Sequence, residues 1–185
     1  MIITISGTPG SGKSTIGQML ARRLRYRRVD IGQIRRRLAK KRGLTLEQYT
    51  ALSETDPRYD RLVDDYQRRL GRRRKNYIME GRLSFHFIPR SFKIFLYVSP
   101  TVGAQRVWRD IKLRRSRNEG RRLTSLSRVA ASLRRRMKSD RQRYQQYYGL
   151  NPFTRDHYDL YLDTSKLRPR QAFKVVWQAV QAKLR

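Results

Sequence analysis

The chain is predicted to be an α/β protein with one parallel sheet covered by helices on both faces. Two observations carry this. Short apolar runs of strand length alternate with longer stretches whose apolar residues recur every three or four positions. No internal repeat and no Gly/Ser- or Pro-rich stretch divides the 185 residues, so they read as one domain, long enough to bury roughly two thirds of its unfolded surface.

Taken in order, the β-branched run from Ile2 to Ser6 ends at Gly7 and reads as a buried strand. The stretch from Ser14 to Leu24 puts Ile16, Met19, Leu20 and Leu24 on one helical face. A weaker strand at Tyr26 to Val29 precedes a helix from about Gln33 to Arg42, stopped by Gly43. Thr45 then opens a helix with Gln48 three places on as its capping-box partner, and that helix yields at Pro57. A third helical stretch follows from about Arg58 to Arg74, so residues 33–75 form a helical insertion between strands. Further strands are expected at Asn76 to Glu80 and at Phe92 to Ser99. After Pro100 a helical pattern carries Val102, Val107 and Ile111, breaks near Asn118 to Gly120, and resumes from Thr124 to about Tyr148. The break reads as a hinged loop. Tyr158 to Leu162 is the fifth strand, and Pro169 opens a last helix with Phe173, Val176, Trp177, Val180 and Leu184 on one face.

Composition narrows the function. With 45 Lys plus Arg against 14 Asp plus Glu the formal charge is +31, which points to polyanionic partners. The absence of cysteine removes thiolate nucleophiles and Cys-based metal sites, and two histidines, His86 and His157, make an imidazole cluster improbable. No apolar stretch approaches a membrane span and no secretory h-region is evident, so the expected compartment is the cytoplasm.

Gly7-Thr8-Pro9-Gly10-Ser11-Gly12-Lys13-Ser14 fits G-x-x-x-x-G-K-[ST], the phosphate-binding P-loop, and lies between a strand and a helix as that motif requires. Its glycines let backbone N–H groups turn around a β-phosphate, Lys13 reaches the β- and γ-phosphates, and the Ser14 hydroxyl can ligate Mg²⁺. The expected ATP-phosphate site runs from Gly7 through Thr15.

The P-loop and five further motifs give the chain a wider resemblance. Gly32-Gln33-Ile34-Arg35-Arg36 is similar to the glycine turn and following arginine of the nucleoside-monophosphate kinases. Met79-Glu80-Gly81-Arg82-Leu83 looks like the E-G-R-L element of their archaeal-type cytidylate kinases. Arg136, Ser139-Asp140, Arg143-Tyr144 and Tyr148-Gly149 resemble that family's R-x-x-S-[DE]-x-x-R-Y and Y-G segment, and Asp163-Thr164 its last strand exit. Leu38 to Glu47, continuing to Asp56-Pro57 and Asp60, is similar to its monophosphate-binding insertion. The chain departs from the wider adenylate-kinase pattern at Gln33, where an acid is usual, and the arginine density at 35–37 and 134–136 leaves neighbouring positions open.

The resemblance implies a three-layer P-loop fold with a five-stranded parallel sheet, a core of residues 1–32, 76–111 and 124–185, an acceptor insertion at about 33–75 and a short lid at about 112–123. It implies transfer of the γ-phosphate of Mg·ATP to CMP or dCMP by a monomer. Lys13, Arg82, Arg136 and Arg143 are its catalytic candidates, with Arg114 and Arg117 as further arginines of the lid. Gly32, Arg36, Gly81 and Arg82 would hold the acceptor, and Ser14, with Glu80 through water, the Mg²⁺. No general base is needed, because the acceptor phosphate is already an anion. His86, Trp108, Trp177 and the stripe Tyr144, Tyr147 and Tyr148 read as structural, with His86 half-buried.

Other classes stay open at this level: a kinase for AMP or UMP, a small-metabolite kinase of the shikimate or dephospho-coenzyme A kind, and an RNA- or ribosome-associated adenylate-kinase-like ATPase. The last draws on the charge: residues 81–155 hold 19 Lys plus Arg against 3 Asp plus Glu. Runs such as Arg72-Arg73-Arg74-Lys75 would bind nucleic acid without sequence preference in any case.

Overall fold

The computed structural model describes residues 1–73, 76–114 and 124–184. Strand β1 (Ile2–Gly7) leads into α1 (Lys13–Leu24), and β2 (Arg27–Asp30) feeds three consecutive helices, α2 (Ile31–Lys41), α3 (Leu46–Thr55) and α4 (Arg58–Arg72). Strand β3 (Tyr77–Glu80), the short α5 (Ser84–Phe87), β4 (Phe92–Tyr97), α6 (Pro100–Arg114), α7 (Leu126–Tyr148), β5 (Leu160–Asp163) and α8 (Pro169–Leu184) complete it.

The sheet has five strands, all parallel, in the order β2-β3-β1-β4-β5. After β1 the chain runs to the far edge, returns to β3 and then crosses to β4 on the other side of β1. The connections leaving β1 and its neighbours therefore diverge and open a crevice at the carboxyl ends of the strands.

Side chains alternate across the sheet with the strand period of two. Ile3, Ile5, Ile78, Ile94 and Leu96 face α1 and α8, meeting Ile16, Leu20, Val176 and Val180. Tyr77 and Met79 face the other way, into a cluster with Val29, Val63, Leu70, Phe85 and Tyr144 drawn from β2, α4, α5 and α7. Ala104, Val107 and Val129 join α6 to α7. Deleting a fully buried aliphatic such as Ile94 down to alanine would cost about 2–5 kcal/mol.

Local chemistry sets the helix ends. Thr45 and Gln48 form the expected capping box on α3, with Thr45 N–H donating to Gln48 Oε1 at 2.8 Å. Gly149 closes α7 at φ 65°. Helix α2 begins earlier than its sequence pattern suggests, because Asp30 accepts from the Gln33 N–H at 3.0 Å and acts as its cap. Strand β5 begins later than expected: Tyr158 follows a 3-10 turn at Arg155–His157, donates its hydroxyl to Pro152 O at 2.6 Å, and packs its ring on Phe85 and Phe95. Helix α5 gave no periodic signal, being only four residues long.

His86 is exposed rather than half-buried, against Phe87 and Tyr148. Trp108 and Trp177 pack at the margins of the apolar clusters. The hinged loop expected near 118–120, with Arg117 and most of the lid at 112–123, lies outside the described residues, as do Arg74 and Lys75. Among the described residues no helix is long and apolar enough to cross a membrane.

Candidate active site

The crevice is a cleft of about 520 Å³ lined from the loop after β1, the start of α2, α4, the turn after β3, α6 and α7. One wall is the P-loop. Thr8 pins it to the sheet, its Oγ1 accepting from Val98 N–H at 2.9 Å. Gly10 and Gly12 have φ of 78° and 88°, and a Cβ on Gly10 would stand 2.7 Å from Gly103 Cα, so glycine is required there by backbone conformation and by space. Thr164 Oγ1 lies 2.8 Å from Tyr97 O and 3.1 Å from Ser11 O, while Arg106 donates to Thr164 O at 2.7 Å and reaches Gly10 O at 3.4 Å. The loop is thus braced from behind.

Of the motif residues, Pro9 through Thr15 line the cleft. Gly7 and Thr8 stand behind it and act through their carbonyls, each accepting from Lys13 Nζ at 2.8 Å. Burial, then the nearby Arg82 and Arg136, bring the Lys13 ammonium down to a pKa of about 7. A phosphate would relieve that repulsion. The Ser11 hydroxyl is buried without a protein partner, at the start of α1 where backbone N–H groups converge. An anion would satisfy both.

Glu80 ends β3 with 3% exposure, beside Asp30 in the sheet register. Arg28 donates to both its carboxylate oxygens, and the Ser14 hydroxyl bonds it from the first turn of α1. Burial raises the carboxyl above the usual range, with Arg28 opposing. The donor set is oxygen only, a hydroxyl and a carboxylate at the mouth of a phosphate loop. That fits a Mg²⁺ that keeps several waters and takes its other ligands from phosphates. Gly17 makes the arrangement possible, since any Cβ at that position would occupy the volume of Glu80 Oε1.

Arg36, Arg82 and Arg136 line the facing side of the cleft with Gly32 and Gly81. The Arg36 guanidinium lies 3.7 Å from where a Cβ on Gly32 would stand. Its neighbour Arg35 also reaches the cleft, but it is tied to Asp60 and to Ser53 Oγ, the latter at 3.1 Å. Arg82 pairs with Asp140, whose carboxyl is held below the usual range, against burial, by Arg82 and Arg143.

Arg143 departs from expectation. It does not line the cleft with the other arginines. It is buried at 2% exposure, Nε 2.7 Å from Asp60 Oδ2 and Nη2 2.9 Å from Asp140 Oδ1, with its guanidinium over the Tyr144 ring. A continuous chain Arg35–Asp60–Arg143–Asp140–Arg82 results, running from the helical insertion to the turn after β3. Arg143 bridges two carboxylates, Asp60 of α4 and Asp140 of α7.

Sequence reasoning missed Arg28, Arg106, Asp64 and Gln67, which have no motif spacing of their own, and the role of Gly17. A helical glycine costing about 1 kcal/mol relative to alanine was a usable signal for Gly17.

Fold and site define a P-loop nucleotide-binding protein whose phosphate loop faces a set of arginines across one cleft. The family model described as the cytidylate kinase-like family matches residues 2–166. The cytidylate kinase of Methanothrix thermoacetophila is 35% identical over 182 residues, 98% of this chain and 99% of its own. That of Archaeoglobus fulgidus is 30% identical over 184 residues, 99% of this chain and 96% of its own. The chain belongs to the cytidylate kinase-like family. In solved structures the fold is similar to an uncharacterized protein from Eubacterium ventriosum (TM-score 0.72, 13% identity, 98% of each chain covered). It is also similar to the shikimate kinase of Acinetobacter baumannii (TM-score 0.61, 19% identity, 98% of this chain and 93% of that one).

Proposed function

We propose that the protein is a cytidylate kinase, transferring the γ-phosphoryl group of Mg·ATP to CMP or dCMP to give CDP or dCDP and ADP. The observation that carries this reading is a P-loop lysine facing three arginines across one cleft in a chain of this family. A donor triphosphate and an acceptor monophosphate place several negative charges within a few ångströms, and fixed cations in a cleft compensate them without reorganisation.

In this reading the loop from Gly7 to Thr15 holds the ATP phosphates, Lys13 leaves the Gly7 and Thr8 carbonyls for the β- and γ-phosphates, and Ser11 donates its free hydroxyl. Ser14, with Glu80 through water, would hold Mg²⁺, which would neutralise phosphate charge when bound. The donor nucleoside lies toward Arg106 and Thr164, and the acceptor within the insertion formed by α2 to α4. Arg36 and Arg82 fork onto the acceptor phosphate, a two-point geometry that lysine does not offer. Arg136 faces the transferring group. An oxygen of the acceptor phosphate forms the new bond to the γ-phosphorus as the bond to the β–γ bridging oxygen breaks, and ADP leaves. Arg143 and Asp140 keep Arg82 aimed.

Initial rates with Mg·ATP and CMP, dCMP, UMP, dUMP, AMP and GMP test the reading. Preference for CMP and dCMP is expected. Protein that binds ATP and transfers to none of them overturns it.

A further inference from the structure

Two carboxylates of the cleft, Glu80 and Asp140, meet guanidinium groups. Asp64, on the same cleft, is held by neutral donors: the Tyr148 hydroxyl bonds Oδ2, and Gln67 Nε2 bonds Oδ1 at 3.3 Å. Asp64 and Gln67 lie three residues apart on one face of α4, at 6% and 2% exposure. Burial brings the Asp64 carboxyl up to about 6, so it is still largely ionised at neutral pH. The Gln67 carboxamide has a defined direction. Ser84 Oγ donates to its Oε1 at 2.7 Å, which consumes the amide oxygen and leaves the NH₂ between Asp64 and the cleft. Val63 and Leu83 supply apolar walls beside the pair.

An acceptor next to a donor between apolar walls is a complement to a planar edge that carries a donor next to an acceptor. Cytosine has that edge in its 4-amino group and ring N3. We infer that Asp64 and Gln67 read the amino edge of the acceptor base: the Asp64 carboxylate accepts from the exocyclic amino group, and the Gln67 amide donates to the adjacent ring nitrogen. This rests on the cytidylate kinase reading and names its specificity pair. Uracil reverses both positions, setting O4 against the carboxylate and N3–H against the amide. Two buried mismatches lower its kcat/KM by at least about 10²-fold relative to CMP. Adenine carries the same amino and ring-nitrogen pattern, so the pair separates amino from oxo bases and does not by itself separate cytosine from adenine.

Asp64→Asn tests this, with kcat and KM measured for CMP and UMP at saturating Mg·ATP. The variant is expected to raise KM for CMP at least tenfold, to leave KM for Mg·ATP unchanged, and to shrink the CMP-to-UMP ratio of kcat/KM by about 10²-fold. A structural role alone would lower both acceptors together, so an unchanged ratio in folded variant overturns the inference. Should Asp64→Asn fail to fold, Gln67→Glu takes its place with the same criterion, since it sets a second acceptor where the donor stood. Wild-type protein that transfers to no monophosphate would overturn the parent reading instead, and the two failures are distinct.

Discussion

Arg143 Nε lies 2.7 Å from Asp60 Oδ2, and both side chains are at most 2% exposed, so a fully buried ion pair ties α7 to α4. The other Asp60 oxygen is taken by Arg35, and Arg143 continues through Asp140 to Arg82. Opposite charges alternate along the chain of contacts. Removing one member leaves its neighbours charged, buried and uncompensated, which is costlier than never having built the network.

Asp60→Ala is therefore expected to destabilise the fold by about 3–5 kcal/mol, measured as the loss of unfolding free energy in urea. Arg143→Lys should recover little of what Arg143→Ala loses, because the two carboxylates are met by two separate guanidinium nitrogens, Nε and Nη2, a planar fork that a single ammonium nitrogen does not reproduce. A loss below about 1 kcal/mol for Asp60→Ala would mean that the network is dispensable.

Lys13 carries a pH dependence. Its pKa of about 7 in the free protein rises when phosphates replace the repulsion of Arg82 and Arg136. Above pH 7 the free protein holds a neutral amine, and ATP binding must draw a proton from solution. Apparent ATP affinity should fall as pH rises through 7 and beyond, by up to about tenfold per pH unit. Below pH 7 the lysine is already charged and this dependence disappears. Calorimetry in buffers of different ionisation enthalpy reads the proton directly, and no uptake at pH 8 would contradict the expected sign.

Gly17 sets the distance between α1 and Glu80. Alanine in a helix interior normally gains about 1 kcal/mol over glycine. Here its methyl group would take the place of Glu80 Oε1, which is also the oxygen that Arg28 Nε bonds. Gly17→Ala is expected to lower the thermal midpoint and to raise the Mg²⁺ concentration needed for half-maximal rate by about tenfold or more, the order of one lost charge-assisted contact. Unchanged midpoint and unchanged Mg²⁺ dependence together would show that Glu80 moves aside freely.

Much of the fold was legible from local pattern. The five strands and the long helices were each marked by period or cap, and the P-loop announced itself by spacing between a strand and a helix. The errors fell where tertiary contacts outweighed local ones. Tyr158, strand-like in sequence, turns its hydroxyl to Pro152 and its ring to Phe85 instead. Helix α5 is a single turn, below the length at which periodicity exists.

The division at the site has the same cause. A phosphate loop is a property of consecutive backbone, so Gly7 through Thr15 can be read from eight or nine letters and their neighbours. Which arginine faces the cleft is not such a property. Arg35 and Arg36 are adjacent letters of the same kind, yet one pairs with Asp60 and Ser53 while the other lies beside Gly32. Arg136 and Arg143 occupy one helix two turns apart, and one lines the cleft while the other is sealed between Asp60 and Asp140. In a chain with 45 Lys plus Arg, the few carboxylates decide these roles, because a buried guanidinium is tolerable only where an acid from a distant segment meets it. Those meetings exist only once α4, α7 and the turn after β3 have packed together.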